Sequence, residues 1–155
     1  MPANTNPIFS LTPNIGTALI STTSAQVKSD GTCAGSGTDL MYCTFVAGAN
    51  GSYLQKIRFN CVASAAATTS VATTLRVYYS TVSAALGAAV GATTSSNTFL
   101  LAEISVPAIS ASNSTAGANF YEINLNMAIP SGSYIHVSQH VAQTANQSWN
   151  AKAIG

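Results

Sequence analysis

The feature that most limits what this chain can become is alternation. Along most of its length apolar and polar residues trade places with a period of two, and no stretch sustains the roughly 3.6-residue spacing of an amphipathic helix. A period of two places successive side chains on opposite faces of an extended strand. Segment 119–129 is the clearest instance: Tyr121, Ile123, Leu125, Met127 and Ile129 share one face, and Phe120, Glu122, Asn124 and Asn126 share the other. In 52–62 the pattern places Tyr53, Gln55, Ile57, Phe59 and Cys61 inward and Leu54, Lys56, Arg58 and Asn60 outward. In 71–80 it places Leu75, Val77 and Tyr79 inward and Arg76 and Tyr78 outward. In 98–106, Leu100, Ala102, Ile104 and Val106 oppose Glu103. Segments 15–24, 40–47, 133–141 and 147–154 complete a set of eight strands.

Eight strands with no helix long enough for a crossover predict an all-β protein, a single antiparallel β-sandwich or barrel. The links 28–38, 63–70, 81–97 and 107–117 are too long for simple hairpins, so strands are expected to cross between two sheets, as in a jelly roll. Asn50-Gly51 supplies the positive φ of a tight turn. Residues 1–14 read as an amino-terminal arm and 15–155 as the sandwich domain, without an internal repeat.

Charge decides which partners suit such a surface. Only 6% of the 155 residues are charged, against about a quarter in an average soluble domain. A neutral exterior of Ser, Thr, Asn, Gln, Gly and Ala repels its own kind weakly and suits a life packed against neighbours. Lys28, Lys56, Arg58, Arg76 and Lys152 are scattered along the sequence, so nucleic-acid binding through counterion release is not expected. No apolar run approaches the roughly 20 residues of a membrane span. The amino end lacks a basic stretch followed by an apolar one, so no signal peptide is expected. Cys33, Cys43 and Cys61 are odd in number and fit no zinc spacing. They predict free, mostly buried thiols from a reducing compartment, with one disulfide left open.

The motif "SYIHVSQHV", 133–141, holds both histidines. On a strand His136 and His140 lie on one face but roughly 13 Å apart, whereas two ligands of one metal must approach within about 4 Å. They read as polar outward residues opposite Ile135, Val137, Gln139 and Val141. The carboxylates are Asp30, Asp39, Glu103 and Glu122. The two Glu lie outward on different strands, and ion pairs with Lys56, Arg58 or Arg76 are expected before acid–base work. No G-x-S-x-G elbow occurs. "GTCAGSG", 31–37, lacks the Lys of a phosphate loop. Tyr78, Phe120, Tyr134 and Trp149 would suit a sugar platform if exposed, but a single Trp more often fills a core. No catalytic, cofactor-binding or metal-binding residue is therefore expected.

The phrases "NPIFSLTPNIGTALISTTSAQVKSDGT", "FVAGANGSYLQKIRF", "FLLAEISVPAISAS", "INLNMAIPSGSYIHVS" and "SWNAKAIG" resemble a family of small structural proteins of tailed bacteriophages, the capsid decoration or cement proteins of jelly-roll type. The resemblance spans most of the chain in order, except 63–97. It implies a non-enzymatic virion protein made in the bacterial cytoplasm and bound to the capsid surface. Its partners would be the major capsid protein and further copies of itself, as a dimer or trimer, with no nucleic acid, membrane or cofactor involved. On that reading Ile8, Phe9 and Leu11 of the arm supply part of the contact; the equal alternative is that the arm lies as a strand-like flap over its own sandwich. The alternative is a head- or tail-fibre domain that binds a receptor or carbohydrate.

Overall fold

The computed structural model describes residues 14–26, 28–64, 68–111 and 120–155. Among these the chain forms ten strands: β1 (Ile15–Ile20), β2 (Tyr42–Val46), β3 (Ser52–Ala63), β4 (Thr68–Thr69), β5 (Thr73–Ser80), β6 (Thr98–Val106), β7 (Ser110–Ala111), β8 (Phe120–Ile129), β9 (Tyr134–Gln139) and β10 (Gln147–Ile154). Eight of them build two four-stranded antiparallel sheets, in the orders β1-β10-β3-β8 and β2-β9-β5-β6. The short β4 and β7 pair as a separate ribbon. No helix occurs among the described residues.

This strand order is that of a jelly roll, as expected. At every link but one the chain changes sheet. The exception is β5 to β6, antiparallel neighbours in the second sheet. Link length therefore does not decide the crossing. The long 81–97 link, expected to cross, is an extended hairpin connection. The short links 47–51 and 130–133 do cross. The Asn50-Gly51 turn also differs from expectation: only Gly51 has positive φ, 82°, and the strands it joins go to opposite sheets rather than forming a hairpin.

The core lies between the sheets. It is built from Ile20, Phe45, Leu54, Ile57, Phe59, Leu75, Val77, Ile135, Val137 and Trp149, all with no exposed surface. Alternation identified six of these residues; Ile20, Phe45 and Trp149 lie in segments to which it assigned no faces. Three register irregularities interrupt the strands, and an irregularity of one residue exchanges the two faces of a strand. Between Leu54 and Lys56 the β3–β8 register slips, so Leu54 points inward and Gln55 outward. Asn126, opposite this slip, has φ 47°. Between Val77 and Tyr78 the β5–β6 register slips past Leu101. As a result Leu101 packs on the main core and Leu100 on the other side of the sheet. A third irregularity falls between Cys43 and Phe45.

One edge of the sandwich is closed by backbone contact. Gly16 of β1 abuts the Thr44 carbonyl of β2 so closely that a Cβ would overlap it, and Leu86 sits 3.3 Å from the same position. A backbone group cannot rotate away as a side chain can. Gly16→Ala is therefore expected to lower the unfolding free energy by about 2–3 kcal/mol through overpacking. Gly91→Ala, whose Cβ meets nothing within 4 Å, should stay within about 0.5 kcal/mol of the parent. Urea midpoints of the two variants test this. Equal midpoints would mean that the two sheet edges do not meet at Gly16.

Candidate interaction face

The two outer faces of the sandwich differ. On the second sheet, register aligns Cys43, His136, Tyr78 and Leu100 across β2, β9, β5 and β6. Parity put His136 and Tyr78 outward, and they do face away from the main core. Both are nevertheless fully buried, because the chain's own links roof them. Met41, Cys33, Val90 and Tyr78 form a second small core, with Val82, Ala84 and Leu100 packed against it. Backbone bonds hold this roof: Cys43 N–H donates to Ala88 O at 3.1 Å and Val90 N–H to Met41 O at 2.8 Å. Arg76 is buried at the margin, where it donates to Glu103 at 3.1 Å and to Gln26 O at 2.9 Å.

These surroundings fix the chemistry of the candidate residues there. Burial pushes the His136 pKa down to about 4, with the Val82 backbone acting less strongly the other way, and neither ring nitrogen meets a full hydrogen-bond partner. His140 lies just beyond β9, half-buried. No group of three or more His, Cys, Asp or Glu suited to a metal occurs among the described residues. All three cysteines are buried and free, as expected. Burial raises each thiol pKa, that of Cys43 to about 11, which disfavours the nucleophilic thiolate. The sugar platform does not assemble. Trp149 and Tyr78 are buried, while Phe120 and Tyr134 belong to different sheets.

The first sheet has no such roof among the described residues, and its outer face can be read row by row from the register. One row is Ile15, Ile154, Lys56 and Asn124; the next is Thr17, Lys152, Arg58 and Glu122; the third is Leu19, Asn150, Asn60 and Phe120. Ile15, Leu19 and Phe120 are 65%, 52% and 53% exposed. Apolar groups thus stand at three of the four corners, Asn124 being the fourth, and a charged row runs across the middle. Glu122 accepts from Lys56 at 3.0 Å and from Arg58 Nε at 2.6 Å. Those bonds, Lys56 first, hold its carboxyl below the usual carboxylate range. The Arg58 guanidinium lies 5.0 Å from the Phe120 ring centroid. Lys152 is exposed and makes no ion pair among the described residues.

Three cations against one carboxylate give this face a net charge of +2, so the remaining charges, Lys28, Asp30, Asp39, Arg76 and Glu103, sum to −1 within the chain's total of +1. Those five all belong to the second sheet or to the link between β1 and β2. The few charges of the molecule are therefore segregated by side. The expected pairing of both Glu residues with Lys56, Arg58 and Arg76 holds. The assembly of Lys56, Arg58 and Lys152 was hidden, because sequence does not say that β10 lies beside β3. Ile8, Phe9 and Leu11, expected to contact a partner, lie outside the described residues.

Searches against protein families, curated proteins and solved structures give no match to this chain.

Proposed function

We propose that the chain is a non-enzymatic structural protein of a virion, a decoration or cement protein that binds the outer capsid lattice through the major capsid protein and stabilises it. The observation that carries this reading is the contrast between the two outer faces. One is sealed by the chain's own links; the other is a four-stranded surface with exposed apolar corners and an ionic middle row. Exposed apolar side chains rimmed by polar ones suit protein contact. The resemblance of the strand and turn phrases to phage decoration proteins supplies the setting. The low charge suits dense arrays and self-association as a dimer or trimer. Burial of the thiols and His136, and engagement of both Glu residues in ion pairs, fit a role by contact rather than by turnover.

The mechanism is mechanical. Each copy bridges neighbouring capsid subunits, and a modest free energy per copy is multiplied over the lattice by simultaneous engagement. Cosedimentation of the purified protein with phage capsids that lack it is expected to saturate at a fixed ratio to the capsid protein. It should also raise the temperature at which those capsids open. A few copies per particle, or none, would exclude a lattice role.

A further inference from the structure

Resting on the capsid-binding reading for its setting, we infer that the outer face of the first sheet recognises an acidic protein surface, two or more carboxylates bordered by apolar side chains. The charges that stay unengaged define the fit. Lys56 and Arg58 share the single carboxylate of Glu122, and Lys152 has no acidic partner among the described residues. Lys152 and Arg58 are direct neighbours across β10 and β3, where opposed side chains start roughly 5 Å apart. One incoming carboxylate spans that pair, and a second is needed to balance the face. Around it, Ile15, Leu19 and Phe120 remain exposed and gain only from apolar neighbours.

The same charges argue against other occupants. Two copies meeting through this face would set +2 against +2. A copy offering its opposite side would present −1 from carboxylates already engaged: Glu103 with Arg76, Asp30 with the Thr32 N–H and hydroxyl, and Asp39 with the Ala34 N–H. A nucleic-acid strand is held by counterion release in proportion to the number of phosphates that Lys and Arg neutralise. This face offers three cations, with a carboxylate among them. An acidic membrane surface gains roughly 1 kcal/mol per Lys or Arg, too little for two unbalanced charges.

The chain carries its own control. Lys56 and Lys152 lie on the face, and Lys28, exposed, lies on the other side of the sandwich. The full-length protein is bound to monolayers presenting mixed carboxylate and methyl groups, or ammonium and methyl groups, and its lysines are acetylated and read by mass spectrometry. The carboxylate layer should retain the protein and shield Lys56 and Lys152 but not Lys28. Lys152→Glu should weaken retention about tenfold, Lys152→Gln less, and added salt should erase the difference. Equal retention on the ammonium layer, shielding of Lys28 as strong as that of Lys152, or undiminished retention of Lys152→Glu would overturn the assignment. The same variants in the capsid sedimentation separate the two ideas. If capsids bind Lys152→Glu as well as the parent, lattice binding stands and the face is wrong. If the acidic layer selects this face while capsids bind nothing, the face stands and the lattice role falls.

Discussion

Trp149→Ala is expected to remove about 4 kcal/mol of stability, a large part of the roughly 5–15 kcal/mol that holds a domain of this kind together. Trp149 sits on β10, an interior strand of the first sheet, between Ile20 of β1 and Cys61 of β3 in register. It has no exposed surface, and Tyr121 meets it edge-on at 5.9 Å between ring centroids. The main core has few other groups of its size, so the gap left by alanine cannot close by small shifts. The indole Nε1 has no hydrogen-bond partner. An unpaired buried N–H opposes folding, and removing it returns part of that penalty. Trp149→Phe should therefore lose much less than its volume change implies, about 1–2 kcal/mol. Urea unfolding with an unchanged slope would read both values as stability. A loss below about 1 kcal/mol for Trp149→Ala would mean that the ring does not lie between the sheets, and would reopen the sugar-platform reading.

What the sequence made legible follows from what period two can encode. Each of the eight main strands was legible, because alternation states that a strand exists and which side chains share a face. β8 illustrates this, with every assigned face observed. The slips at Leu54 and Leu101 were not legible, because a bulge leaves the composition of a strand unchanged while exchanging its faces. The two-residue β4 and β7 were too short to carry a pattern. Tyr78 and His136 show a second limit. Parity separates the two sides of a sheet but does not reveal a roof, and the 81–97 link is made of small, weakly patterned residues. The candidate face was half legible. Lys56 and Arg58 were placed outward beside one another on one strand. Lys152 is distant in sequence and joins them only through the jelly-roll strand order.

The buried imidazole gives the second large effect, and its sign is fixed by linkage. In the unfolded chain His136 takes a proton near pH 6.5; in the folded chain burial holds this off until about pH 4. Between those values the unfolded state binds the extra proton, so stability falls as pH falls through that window. The full loss is about 3 kcal/mol, and most of it should be present at about pH 4.5. Residues across from the ring do not blur this reading. Burial raises the pKa of both Cys43 and Tyr78, so neither gains charge on acidification. Asp30 and Glu122, both with lowered pKa, begin to lose their contributions as pH falls into the ordinary carboxylate range, but that loss is shared by the parent and His136→Leu and cancels in their difference. His136→Leu removes the titration and two unpartnered ring nitrogens together. It should lie within about 1 kcal/mol of the parent near pH 7, and unfold at clearly higher urea than the parent near pH 4.5. A parent whose stability is flat between those pH values, with His136→Leu parallel to it, would mean that water reaches the ring. In that case the links over the second sheet would not be a fixed roof, and the contrast between the two faces, which carries the proposed function, would fail with it.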